Sequence, residues 1–119
     1  MIVIICGDRN WTDEDTIDEY IMTLPPHSTI IHGNYRGADK IAAKLGKMRG
    51  HRVIPMDAEW NRYRWGAGPI RNTRMLEEGK PDLVVAFHDY LGRSKGTADM
   101  IGQAEARGIP TEVRRSKQF

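Results

Sequence analysis

Short runs of consecutive β-branched residues alternate along this chain with longer segments in which apolar residues recur at helical spacing. The runs are "IVIIC" (2 to 6), "STIIH" (28 to 32), "HRVIPM" (51 to 56), "DLVVAF" (82 to 87) and "PTEVRR" (110 to 115). Ile and Val without polar alternation, clearest in the first and fourth runs, imply strands covered on both faces, as in a parallel sheet. Between them, Ile17, Tyr20, Ile21 and Leu24 predict one buried helical face, and Ala38, Ile41, Ala42, Leu45 and Met48 a second. Thr12 and Asp15 have the spacing of a capping box, "PP" at 25 and 26 stops the first helix, and Gly50 ends the second. A third helix opens at Gly68 and Pro69 and ends near Gly79; a fourth runs from about Thr97 to Arg107 and closes at Gly108. This β-α alternation with short connections predicts right-handed crossovers. It gives an α/β fold: one doubly wound, Rossmann-like domain over residues 1–119, its five mainly parallel strands in the order 3-2-1-4-5 and helices on both faces.

Composition narrows the picture only a little. The charged fraction is 29% and the net charge +2, from 18 basic against 16 acidic residues, which by itself argues for no nucleic acid. Cys6 stands alone in an apolar run, so there is no disulfide framework and a reducing, cytoplasmic compartment is expected. "MIVIIC" is too short to cross a bilayer and lacks the basic flank of a signal peptide, so no membrane partner is expected. One long connection, residues 57 to 67, carries two of the three tryptophans, and such a segment in a small domain points to function.

In an open α/β sheet the binding crevice lies beyond the carboxyl ends of the strands, where strand order reverses. That rule brings Gly7, Asp8 and Arg9 to one point with the segment from His88 to Thr97, flanked by "GNYRGAD" (33 to 39) and residues 57 to 72. The glycine fingerprint of dinucleotide enzymes is absent after the first strand, which continues "CGDRNW", and no P-loop is present. Histidines 27, 32, 51 and 88 show no ligand spacing, so no metal and no resident cofactor are expected. What remains are helix N-termini, whose free N–H groups attract anions. The first is closed by Asp13, Glu14 and Asp15. The fourth begins "SKGTAD", with Lys95, Gly96 and Thr97, and is the better phosphate seat; the third carries Arg71 in its first turn, an arginine able to fork onto oxygens.

At these residues the sequence resembles the YspA-type branch of the SLOG superfamily, Rossmann-like proteins related to the LOG-type phosphoribohydrolases and to the DprA fold. The resemblance covers nearly the whole chain. It rests on "CGDRNWTD", with Gly7 and Arg9; on "HGNYRGAD", with Gly33, Arg36, Gly37, Ala38 and Asp39; on "AEW" at 58 to 60; on "AGPIRNTRML"; and on "VVAFHD" followed by "KGTADMI". It implies a nucleotide or nucleotide-derived, ADP-ribose-like ligand whose phosphate lies over Gly96 and Thr97, with Arg71 and Asn72 facing it. It also implies a setting in bacteria or their phages. One departure matters: the LOG-type motif Gly-Gly-x-Gly-Thr-x-x-Glu ends in a catalytic glutamate, where this chain has Met100.

Three functions are therefore in play. A binding module needs only the anion seats, the arginines and an aromatic wall: Gly7, Arg9, Gly33, Arg36, Gly37, Asp39, Trp60, Gly68, Arg71, Asn72, Lys95, Gly96 and Thr97. A hydrolase of N-glycosidic or phosphoribosyl bonds would draw its acid or base from Asp39, Asp8 or Asp99. Nucleic-acid binding, resting on kinship with DprA and a basic tail "RRSKQF", is the least expected, because a short tail reads as a solvated terminus. A homodimer is compatible with the fold.

Overall fold

A computed structural model describes residues 1–118; Phe119, the end of the basic tail, lies outside the described residues. All five anticipated strands form, as β1 (Ile2–Gly7), β2 (Thr29–His32), β3 (Arg52–Pro55), β4 (Leu83–Phe87) and β5 (Thr111–Arg114). They pair in parallel in the order β3-β2-β1-β4-β5. The helices are α1 (Glu14–Met22), α2 (Ala38–Met48), α3 (Trp60–Tyr63), α4 (Ala67–Gly79) and α5 (Lys95–Ala106).

The alternation of side chains along each strand divides the core into two layers. Val3, Ile5, Val85 and Phe87 face α1 and α2, joining Ile17, Tyr20, Ile21, Ala42 and Leu45. Ile4, Val84 and Ala86 face α4 and α5, joining Met75, Leu76, Met100, Ile101 and Ala104. Continuous apolar strands are required because both faces are covered. Trp11 closes the first layer, its ring edge-on to Phe87 at 5.7 Å between centroids.

Several local expectations change. Asp13, rather than Thr12, caps α1: its carboxylate accepts from Thr16 N–H at 3.1 Å and from the Thr16 hydroxyl at 2.5 Å. Met48, placed in the buried stripe of α2 by spacing, is exposed at the last helical position. The third long helix starts at Ala67, so Pro69 sits inside its first turn, where no N–H is needed. The last helix begins two residues early, at Lys95, because Ser94 caps it by accepting from Thr97 N–H at 3.2 Å. The connection from 57 to 67 is partly helical, with α3 followed by a 3-10 turn at Arg64–Gly66. Part of the basic tail is tied down: Ser116 N–H donates to Asp89 at 2.6 Å and Lys117 N–H to Asp13 at 2.9 Å. Among the described residues no helix is long and apolar enough to cross a membrane.

Candidate functional site

A cavity of about 620 Å³ opens at the carboxyl edge of the sheet, over β1 and β4, at the reversal of strand order. Cys6, Met75 and Met100 are among its apolar lining, and Gly7, Gly33, Gly68 and Gly96 bring backbone to its walls. The lining also carries four cations, Arg9, Arg71, Arg93 and Lys95, with two carboxylates, Asp8 and Asp39. None of the four cations has an ion-pair partner among the described residues.

Arg71 is the most constrained of them. Its Nε donates to Asn72 Oδ1 at 3.0 Å and its Nη1 to Gly33 O at 2.8 Å and Met56 O at 3.5 Å. Only Nη2 has no acceptor among the described residues. The arginine therefore offers an anion one nitrogen, not the two-pronged fork its residue type suggested. Its passage explains Gly33, where a Cβ would stand 2.3 Å from Arg71 Nη1. Gly37 has a different reason: at φ +77° a Cβ would meet Asp8 O at 2.4 Å, so this N-cap of α2 packs directly beneath the turn after β1.

Asp39 projects from the first turn of α2 and is only 6% exposed. Its Oδ2 accepts from Tyr35 N–H at 3.2 Å. Burial pushes its carboxyl up to about 6, against the opposing pull of the Tyr35 hydrogen bond and the Arg71 charge. Burial likewise raises the Cys6 thiol far above its ordinary range, which disfavours its thiolate form. Asp8 lines the cavity but closes its own turn, accepting from Asn10 N–H at 2.9 Å.

The first turn of α5 forms the opposite wall. Thr97 is anchored through its hydroxyl to Gly7 O at 3.3 Å, and Ser94 occupies its N–H. The N–H groups of Lys95 and Gly96 have no intrahelical acceptor. A Cβ on Gly96 would meet nothing within 4 Å, so protein packing does not demand a glycine there. His88, at the end of β4, accepts Tyr90 N–H on Nδ1 at 2.9 Å, which assigns the proton of the neutral ring to Nε2.

Most residues singled out from the sequence meet here: Gly7, Asp8, Arg9, Gly33, Asp39, Trp60, Gly68, Arg71, Asn72, Lys95, Gly96 and Thr97. Three do not line the cavity. Arg36 reaches Asn10 Oδ1 at 3.4 Å, Gly37 is structural, and Asp99 faces Asn72 and Gln103. Met100 does line it, so the position of the LOG-type glutamate faces the cavity with a thioether. The aromatic rim consists of Trp60, Tyr35 and Tyr90, whereas Trp65 is 96% exposed and lies outside it. Sequence reasoning passed over Tyr35, Tyr90, Arg93 and the cap Ser94. Ser94 was legible as a serine three residues before Thr97; Arg93 stacks on Tyr90 at 4.6 Å, a contact no spacing announces.

The profile of the YspA, cpYpsA-related SLOG family matches residues 1–63. The chain belongs to this family. The Gene 61 protein of Mycobacterium phage D29 is 34% identical over 117 residues, with 91% of each chain covered. Among solved structures, the DNA processing protein A (DprA) of Streptococcus pneumoniae superposes with a TM-score of 0.76 at 15% identity. The match covers 93% of this SLOG chain and 49% of DprA, so the chain spans about half the length of that protein and shares its fold.

Proposed function

We propose that this SLOG domain binds a phosphate-bearing nucleotide or nucleotide-derived ligand, of the ADP-ribose type, as a sensing or sequestering module. The observation that carries the reading is the cluster of four cations without carboxylate partners, gathered in one cavity beside the open first turn of α5. An exposed surface cation needs no partner, but the half-buried Arg71, held by carbonyls with one nitrogen idle, is prepared for an anion. Trp60 and Tyr35 supply flat apolar faces for a base, and Gly96 lets a phosphate approach the backbone.

The test is capture of AMP, NAD or cyclic ADP-ribose, read as thermal stabilisation, followed by chromatography of the recovered ligand. Stabilisation by one of them with recovery of unchanged ligand supports a binding module. Arg71→Ala should abolish that stabilisation, and a melting shift that survives in the variant would remove Arg71 from the site.

A second reading, hydrolysis of an N-glycosidic or phosphoribosyl bond, is favoured by Asp39. A buried carboxyl held at about 6 on a cavity wall can hold or release a proton near neutral pH. Release of free base or ribose phosphate, lost in Asp39→Asn, would establish that activity in place of simple capture. Single-stranded DNA should give no gel shift at physiological salt, and a shift would bring nucleic acid forward as the ligand.

A further inference from the structure

Asn72 is 3% exposed, yet its amide is fully engaged with protein. Its Nδ2 donates to Gly96 O at 3.1 Å and to Asp99 Oδ2 at 3.0 Å, while its Oδ1 accepts from Arg71 Nε at 3.0 Å. Both groups facing Nδ2, a carbonyl and a carboxylate oxygen, accept, so the amide has one permitted orientation. Turning it over would point two donors at each other, Nδ2 against Arg71 Nε, and would release the guanidinium.

The orientation is fixed from behind. Asp99 accepts from Gln103 Nε2 at 2.8 Å, one helical turn along α5. Gln103 Nε2 also donates to Pro69 O at 3.2 Å, and its Oε1 accepts the Thr73 hydroxyl at 2.8 Å. The N-terminal part of α4 is thereby tied to α5 by hydrogen bonds between side chains and to the carbonyls of Pro69 and Gly96, in addition to the apolar packing between the two helices. Gly96 O and Arg71 Nε lie no more than roughly 8 Å apart, two hydrogen bonds and one amide width.

We propose that Asn72 is a positioning residue that makes one composite anion receptor from two elements. It holds Nη2 of Arg71 in fixed relation to the Lys95 and Gly96 N–H groups, and Asp99 with Gln103 sets the direction of its amide. The inference rests on the reading that the cavity takes an anion. It removes Asn72 from the ligand contacts and gives Asp99 a structural task behind the wall.

The sign of one substitution separates this from charge effects. Asp99 is an anion near an anion site, so by electrostatics alone its removal should strengthen ligand binding. Positioning requires the reverse, because Asn72 then loses one of the two acceptors that orient it. Asp99→Ala is expected to weaken AMP binding by roughly tenfold in calorimetry. Asp99→Asn, whose Oδ1 still accepts from Asn72, should keep the wild-type affinity within about twofold. In the ligand-free protein, the Arg71 Nε–H resonance should be protected from exchange in the wild type and in Asp99→Asn, and lost in Asp99→Ala.

An Asp99→Ala protein that binds AMP as tightly as the wild type or more tightly overturns the proposal, as does an unchanged Arg71 resonance. If the wild type does not bind AMP, the ligand reading fails in that form, while the resonance still decides the role of Asn72. Should Asp99→Ala not fold, Gln103→Leu is measured in the same way, with a loss of about threefold expected and an unchanged affinity counting against the proposal.

Discussion

Cations on the outer helix faces and cations at the carboxyl edge of the sheet are employed differently. Lys44 pairs with Glu14, Arg49 with Asp18 at 2.7 Å, and Arg107 with Glu77 at 3.4 Å, tying helices of the same layer together. Arg9, Arg71, Arg93 and Lys95 share one cavity with only two carboxylates, and neither Asp8 nor Asp39 pairs with any of them. The helix ends differ in the same sense. Asp13, Glu14 and Asp15 satisfy the dipole of α1, whereas α5 has no acid in its first turn. Residue type is equal in the two regions; what differs is that on the outer faces the opposite charge is in contact, whereas in the cavity Asp39 acts on Arg71 only across space and no ion pair forms. That difference is the ground for the anionic ligand proposed above.

Charge reversal should break this contrast most sharply. Lys95→Glu is expected to lower AMP affinity by roughly a hundredfold, while Arg49→Glu, on the paired surface, should leave it unchanged. Equal losses in the two variants, measured by calorimetry at one ionic strength, would mean that net charge and not the cavity governs binding.

The pH response of the folded state is the next largest effect. Asp39 is raised from 3.8 to about 6, so the native state holds its proton more tightly than the unfolded chain. Stability from this group is complete at low pH and is lost as pH rises through about 6. His32, buried beneath Asn34 N–H, is lowered from 6.5 to about 4, mainly by burial, and its contribution is lost as pH falls through about 4. The two slopes oppose one another over the same interval. Asp39→Asn should therefore gain stability relative to the wild type, by on the order of 1–3 kcal/mol above pH 6 and nothing near about pH 3. Denaturant melts across that interval measure it, and a difference independent of pH would show that Asp39 titrates normally.

The smallest effect concerns the two exposed tryptophans. Trp60→Ala should cost roughly tenfold in AMP affinity while sparing that for inorganic phosphate, since stacking on a base is lost and the anion seat is not. Trp65→Ala, outside the lining, should change neither. A matching loss in both would move the aromatic wall onto the far side of α3.

Much of this was written in the chain. Uninterrupted Ile and Val in β1 and β4 demand cover on both faces, helical spacing supplies the covering helices, and crossover handedness then leaves few strand orders. The location of the cavity follows from that order. Local signals were weaker at element ends: Asp13 and Thr12 are both good caps, and the choice turns on which one reaches a free N–H. That Arg71 and Asn72 line the cavity was legible because they stand in the first turns of a helix aimed at the crevice. Their roles were not legible. The acceptors that hold Arg71, Gly33 O and Met56 O, lie 38 and 15 residues away in sequence, and Asn72 meets partners 24 and 27 residues away.

Periodicity and punctuation thus determined the sheet, its order and the edge where a ligand would sit, because these depend on burial patterns each segment carries by itself. Only the tertiary structure decided which polar groups are used up by the protein and which are left over. Hydrogen-bond capacity is satisfied between segments, so the single idle nitrogen of Arg71, the lifted proton affinity of Asp39 and the withdrawal of Asp99 behind Asn72 appear only once the carbonyls and carboxylates of distant segments have been brought against them.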